Sequence, residues 1–101
     1  MNYTKIRIFL RDDTELYIDE DEIVVYQLSG DYYYIEYQND KGQAHRLDGP
    51  AREWADGDKC WYVNGQAHRV DGPAREYADG RKSWYVDGQR YSKEQFERKF
   101  K

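Results

Sequence analysis

The chain has 101 residues, of which 39% are hydrophobic and 36% charged, and its formal net charge is −4. This length suits a single domain with one modest core. Disordered chains are poor in aromatic residues, whereas 17% of this chain is aromatic, so the composition excludes disorder and favours a core that contains rings. A membrane span is also excluded, because the chain contains no run of 18 apolar residues.

Two further features indicate a cytoplasmic protein. Residues 1–5 lack the apolar segment of a secretory signal. Cys60 is the only cysteine, so no internal disulfide can form, and a reducing compartment is the simpler setting.

Residues 1–37 predict acidic β-hairpins. Ile6, Ile8 and Leu10 alternate with the residues between them, which is typical of a half-buried strand. Further strands are predicted at 16–18, 23–28 and 32–37, with breaks at 11–14 and 29–31.

Carboxylates are concentrated in the first part of the chain. Residues 1–40 have a charge balance of −7 and residues 41–101 one of +3, which sum to −4. The run can be a solvated hairpin edge that blocks unwanted strand pairing, or a surface that mimics nucleic-acid phosphates in a partner's basic groove. Calcium is not favoured, because EF-hand spacing is missing. The acidic candidates for partner binding are Asp12, Asp13, Glu15, Asp19, Glu20, Asp21 and Glu22.

Residues 38–91 are built on a 23-residue repeat. Residues 45–57 recur at 68–80, and residues 59–66 recur at 82–89. A degenerate earlier copy ends at His45, with residues 32–37 in place of the later strands. Such repetition predicts units stacked by translation.

Asp-Gly or Asn-Gly at 56, 64, 79 and 87 predicts two-residue type I′ turns, with strands at 51–55, 58–63, 74–78 and 81–86. The Asp-Gly at 48 and 71 precedes a proline, which predicts a connector. Pairing across Asp56 would place Trp54 opposite Lys59 and Arg52 opposite Trp61. Cation–π contacts are expected on that face. We expect the face with Trp and Val to pack, and the face with Ala and Tyr to be more open.

The last residues predict a helix. Residues 92–95 form a capping box, and Phe96 and Phe100 lie one turn apart, so a helix over about 93–100 is expected to cover the last repeat. The predicted fold is one mainly all-β domain, an antiparallel meander of hairpin repeats with a short C-terminal helix. Its parts are 1–37, 38–91 and 92–101.

The 23-residue spacing around Asp-Gly or Asn-Gly resembles the MORN repeat, a β-hairpin unit of the same length. The segment Trp61 to Ala74 is more closely similar to repeats in small uncharacterised proteins of bacteriophages and other large DNA viruses. The resemblance covers about residues 38–101. It implies hairpin architecture, viral origin, the host cytoplasm as location, and association with proteins or lipids in place of chemistry.

The repeated polar residues are predicted to serve the scaffold. One two-stranded unit advances by about 9–10 Å, so His45 and His68 lie too far apart to share a metal ion. We expect their side chains to hydrogen-bond the connector backbone. No catalytic residue, cofactor or metal is predicted, because a catalytic site is normally unique and these residues come in copies. The motif comprises His45, Arg46, Asp48, Gly49 and Pro50, their equivalents His68, Arg69, Asp71, Gly72 and Pro73, and also Trp61 and Trp84.

The leading functional hypothesis is a non-enzymatic module that binds, and thereby inhibits, a host protein of defence or nucleic-acid handling. It would use the acidic residues or an aromatic surface containing Tyr62 and Tyr85. Two alternatives stay open, a small-ligand or nucleotide binder lined by Tyr and Arg, and a structural or assembly protein. Direct nucleic-acid binding is disfavoured by the net negative charge.

Overall fold

The computed structural model describes residues 3–101. The strands are β1 (Lys5–Leu10), β2 (Glu15–Ile18), β3 (Tyr32–Gln38), β4 (Arg52–Trp54), β5 (Lys59–Cys60), β6 (Tyr62–Val63), β7 (Gln66–Ala67), β8 (Arg75–Glu76), β9 (Lys82–Val86) and β10 (Gln89–Tyr91). The helices are a 3-10 helix (Glu20–Glu22), α1 (Ile23–Ser29) and α2 (Lys93–Phe100).

Eight of these strands form one antiparallel sheet in the order β10-β9-β8-β5-β4-β3-β1-β2, and β6 pairs with β7 in a small second sheet. The predicted mainly all-β fold with a short C-terminal helix is confirmed.

The principal core lies between α1 and one face of the strands β1 and β3. The alternation in β1 places Ile6 and Ile8 inward, and Ile35 of β3 is directly opposite Ile8. Ile23 of α1 packs on the same cluster. No helix within residues 3–101 is long and apolar enough to cross a membrane.

The predicted strand over residues 23–28 is wrong, because this segment forms α1. Gly30 ends the helix in the left-handed conformation, with φ of 71°, and its N–H donates to the carbonyl of Tyr26. Carboxylates before Ile23 favour a helix start, since they face the positive end of the helix dipole. Residues 1–37 were predicted to be hairpins throughout, but within 3–37 the structure has the hairpin of β1 and β2, the 3-10 helix, α1 and most of β3.

The repeats stack by translation, as predicted. The hairpin of β4 and β5 is followed in the sheet by the hairpin of β8 and β9, with β5 paired to β8. Each unit therefore adds two antiparallel strands, and the equivalent strands β4 and β8 of successive units run in the same direction. The predicted strand at 58–63 is interrupted at Trp61, where the chain leaves the large sheet to form β6.

Only two of the four predicted type I′ turns are present. Asn64 and Asp87 have positive φ, as do the glycines that follow them. At Asp56 the loop has three residues: Gly57 N–H donates to the carbonyl of Trp54, and Trp54 N–H donates to that of Asp58. The Asp56 carboxylate accepts from the N–H of Asp58 and stabilises this three-residue loop. The loop at Asp79 has the same hydrogen bonds.

The longer loop shifts the predicted register by one residue. Arg52 is opposite Cys60, and Glu53 is opposite Lys59, so the predicted pairs of Trp54 with Lys59 and of Arg52 with Trp61 are wrong. The burial of the two faces also differs from expectation. Ala51 is fully buried, as is its equivalent Ala74, whereas the side chains of Trp61 and Val63 are half-buried.

The C-terminal helix is confirmed with its cap. The Ser92 hydroxyl accepts from the N–H of Gln95, and the Gln95 side chain accepts from the N–H of Ser92. Phe96 is fully buried and contacts Phe100. The helix α2 packs on the last two strands of the large sheet, β9 and β10.

Candidate functional site

The repeated arginines stack on rings of their own chain. The guanidinium of Arg46 lies 4.0 Å from the centre of the Tyr37 ring, and that of Arg69 lies 3.9 Å from the centre of the Trp61 ring. Tyr37 thus has the place in the degenerate first copy that Trp61 has in the next. These contacts replace part of the aliphatic core that the repeats lack.

Each of these guanidinium groups also holds its connector. Arg69 donates to Asp71 at 2.9 Å, to the carbonyl of Pro73 at 3.0 Å and to Glu76 at 3.0 Å. Arg46 makes the equivalent bonds to Asp48 and Pro50.

The glycine of the connector makes room for the arginine. A Cβ added at Gly72 would lie 3.0 Å from the guanidinium carbon of Arg69, and the same distance separates a Cβ at Gly49 from Arg46. The connector residues therefore form one self-contained unit. Its polar groups bind one another, which leaves little of their hydrogen-bonding capacity for a ligand.

The two histidines hold the backbone of a hairpin turn. Nδ1 of His45 accepts from the N–H of Asn64 at 2.9 Å, and Nδ1 of His68 accepts from the N–H of Asp87 at the same distance. The predicted hydrogen bond to the connector backbone is wrong, since the bonded amide belongs to the next β-turn. Within residues 3–101, no group of three or more His, Cys, Asp or Glu side chains is arranged to hold a metal ion.

An open groove of about 480 Å³ separates the two connectors. Leu47 and Val70 are exposed at its rim, and Trp61 and Arg69 are among the residues that line it. Because Arg69 is already bonded within its own repeat, this groove offers weak support for the small-ligand alternative.

Tyr62 and Tyr85 lie beside a row of arginines, Arg52 and Arg75, on the face of the sheet opposite the core. The guanidinium of Arg52 lies 5.1 Å from the Tyr62 ring, and that of Arg75 lies 5.1 Å from the Tyr85 ring. Arg75 also donates to the hydroxyl of Tyr62 at 3.3 Å. Arg52 and Arg75 therefore make cation–π contacts, but with tyrosines that were predicted on the other face and not with the tryptophans.

Cys60 lies between the arginines of this row, opposite Arg52 on one side and Arg75 on the other. The thiol is buried, and this burial raises its pKa although both guanidinium groups act to lower it. A raised pKa leaves little thiolate at neutral pH, so Cys60 is suited to packing and not to nucleophilic chemistry.

The seven acidic candidates do not form one cluster. Asp12 and Asp13 lie in the turn before β2, Glu15 begins the strand, and the other four lie at or within the 3-10 helix after it. The sheet order places six strand-to-strand steps between β2 and β9, which contains Tyr85. At about 4.8 Å per step, the acidic residues and Tyr85 lie on the order of 29 Å apart.

Three of the acidic side chains have partners in the fold. Asp12 accepts from the hydroxyl and the N–H of Thr14, and these bonds lower its pKa. Glu15 pairs with Arg7. Glu20 accepts from the hydroxyl of Tyr3, whose pKa is raised by burial and by this carboxylate.

Four acidic side chains remain without a partner among residues 3–101. Asp13, Asp19, Asp21 and Glu22 make no side-chain hydrogen bond or ion pair there. Three of them, Asp19, Asp21 and Glu22, lie immediately before α1, so this end of the molecule presents negative charge that no ion pair within residues 3–101 neutralises, although Lys5 lines the same groove as Asp19 and Glu22.

Beside these carboxylates, α1 exposes apolar side chains. Val24 is 55% exposed, Val25 is 66% exposed and Leu28 is 83% exposed, while Ile23 and Tyr26 face the core. Val24 and Leu28 are four positions apart, and Val25 and Leu28 three, so all three share one outward face. We call this surface the acidic–apolar corner; it consists of Asp19, Asp21, Glu22, Val24, Val25 and Leu28.

Sequence reasoning missed the apolar half of this corner, because a strand at 23–28 distributes these side chains over two faces. The signal was present in Gly30 and in the carboxylates before Ile23, which together mark the two ends of a short helix.

Comparison of the chain with protein-family models, with curated proteins and with solved structures finds no match. The resemblance of the repeats to MORN units therefore stays a prediction from the sequence.

Proposed function

We propose that this protein is a non-enzymatic module that binds another protein through the acidic–apolar corner. The observation that carries the proposal is the exposed face of Val24, Val25 and Leu28 beside three carboxylates that have no partner within residues 3–101. Scattered apolar side chains are ordinary on a protein surface. A contiguous apolar patch with a charged rim is typical of association sites.

The corner selects its partner by charge as well as shape. Its complement is a shallow apolar depression rimmed by lysine or arginine. Carboxylates at the rim speed the encounter with such a surface and reject acidic ones. Proteins that handle nucleic acids carry basic surfaces. The resemblance of the repeats to those of viral proteins favours a host protein of that class, which binding would inhibit.

Affinity capture with matched variants tests the proposal. We expect the double variant Val25→Gln and Leu28→Gln to lose a partner that the parent chain retains from lysate of the host cell. Truncating apolar anchors at an interface centre typically costs about 2 kcal/mol or more, or roughly thirtyfold in affinity.

The matched control is Leu47→Gln with Val70→Gln, since those side chains are exposed in the connectors. This variant should retain the partner. Thermal unfolding of both variants verifies that they fold. A partner retained equally by the corner variant, or lost equally by the control, would contradict the proposal.

A charge variant separates the two halves of the corner. With Asp19→Asn, Asp21→Asn and Glu22→Gln, we expect slower association and a weaker dependence on salt, with dissociation less affected. Unchanged association rates at low salt would mean that only the apolar side chains of the corner contribute to binding.

A further inference from the structure

We propose that the free edge of β2 receives an extended segment of a partner protein, flanked by basic residues, as an added strand of the sheet. The inference deepens the proposed function and rests on it for the class of partner. It involves the backbone groups of β2, whereas the acidic–apolar corner involves the side chains of α1 and of the residues before it.

The strand β2 is an end of the large sheet. It pairs with β1 alone among the strands of residues 3–101, so its second edge has no strand beside it. An unpaired edge carries a row of N–H and C=O groups ready to bond an extended chain.

The ladder fixes which groups face that edge. The N–H of Leu10 donates to the carbonyl of Thr14, so this pair is hydrogen-bonded. Bonded pairs alternate along an antiparallel ladder, so the backbone N–H and C=O groups of Leu16 and Ile18 bond β1. The backbone groups of Glu15 and Tyr17 therefore point outward.

The side chains of β2 suit an additional strand. Leu16 and Ile18 are half-buried and pack against the core cluster, so apolar side chains of a neighbouring strand would extend that core. Tyr17 is exposed on the opposite face.

The charges at the two ends of the strand decide between possible occupants. Asp13 lies in the turn before β2, and Asp19, Asp21 and Glu22 follow it, all without partners in the described chain. A second copy that paired β2 with β2 would bring acidic ends together in either direction. A short β-forming segment with lysine or arginine at both ends would instead meet opposite charge at both ends.

A designed peptide is the probe. It has a central alternation of threonine and valine with lysines at each end, and it is labelled for fluorescence anisotropy. We expect saturable binding that weakens by roughly tenfold or more when salt is raised, and slower hydrogen exchange at the amides of Glu15 and Tyr17.

The decisive variant is Tyr17→Pro. Proline removes one outward N–H and is tolerated on an edge strand where that N–H faces away from the neighbouring strand. We expect at least about a tenfold loss of peptide binding. Tyr17→Ala, which keeps the N–H, should bind within a few-fold of the parent. Glu15→Pro against Glu15→Ala repeats the comparison in case one proline variant fails to fold.

Several outcomes overturn the proposal. Equal binding by the proline and alanine variants removes the edge as the site, and equal binding of a glutamate-flanked peptide removes the charge argument. Failure of the lysine-flanked peptide to bind means that the carboxylates only prevent pairing. A concentration-dependent dimer that Tyr17→Pro abolishes would show that a second copy of this chain binds the edge of β2.

The result can be told apart from failure of the proposed function. The variant with Val25→Gln and Leu28→Gln should still bind the peptide, because β2 is unchanged. If that variant also keeps its captured partner, the corner is wrong while the edge site stands.

Discussion

The N-terminal region, from Tyr3 to Gln38, and the repeats that follow it are stabilised by different means. The N-terminal region has a conventional core in which Ile8 and Ile35 are fully buried beneath α1. The repeats have few aliphatic side chains. There, arginines lie on rings, and the fully buried residues are the small Ala51 and Ala74.

The two regions also treat charge differently. In the repeats most arginines are committed within their own chain, as Arg69 is to Asp71 and Glu76. In the N-terminal region Asp19, Asp21 and Glu22 have no such partner among the described residues. Duplicated side chains must satisfy the same local surroundings in every copy, whereas residues outside the repeat are free of that constraint. Recognition is therefore best sought in the part of the molecule that does not repeat.

The largest expected effect is in the N-terminal core. Replacing Ile8 by Ala removes a fully buried side chain and leaves a cavity, which should lower the free energy of unfolding by about 2–5 kcal/mol. Urea denaturation measures the change. Val70→Ala, at an exposed position in a connector, is the control and should cost less than about 0.5 kcal/mol. Equal costs for the two would mean that the N-terminal core does not stabilise the fold.

The second test examines the arginine units of the repeats. Gly72→Ala places a methyl group against the guanidinium of Arg69, which must then shift by a few tenths of an ångström and weaken its contacts with Trp61 and Glu76. We expect a loss of about 1–3 kcal/mol in the free energy of unfolding.

A double-mutant cycle supplies the control for this change. In a chain that already contains Arg69→Ala, the further change Gly72→Ala should cost less than about 0.5 kcal/mol, because the group it displaces is gone. Additive costs would show that Gly72 is required for its backbone and not for the space that it leaves to arginine.

Sequence reasoning reached furthest where the pattern is local or repeated. The period of 23 residues, the connector with its proline, and the capping box of Ser92 each depend on a few neighbouring residues, and each has its predicted structure. The register across Asp56 was wrong, because Asp-Gly fits both a two-residue and a three-residue loop. In the structure the Asp56 carboxylate accepts from the N–H of Asp58, which stabilises the three-residue loop.

The candidate site was harder to predict because it depends on tertiary context. The branched side chains of Val24 and Val25 favour a strand, and that preference concealed α1. The acidic residues were found, but the sequence could not show which of them are bonded within the fold. Glu15 and Glu20 are bonded to Arg7 and Tyr3, which precede them by eight and seventeen positions.

The smallest expected effect tests whether the repeats act only on their neighbours. His68→Ala removes the acceptor for the N–H of Asp87 in the next hairpin turn, which should cost about 0.5–1.5 kcal/mol. Hydrogen exchange at Asp87 should accelerate, while the amides of Ile8 and Ile35 stay unchanged, because stacked units transmit stability mainly to adjacent units. His45→Ala should act in the same way on Asn64, one repeat earlier. If either substitution accelerated exchange in the N-terminal core as much as in its own turn, the two regions would unfold as one, and the contrast between them would be one of composition alone.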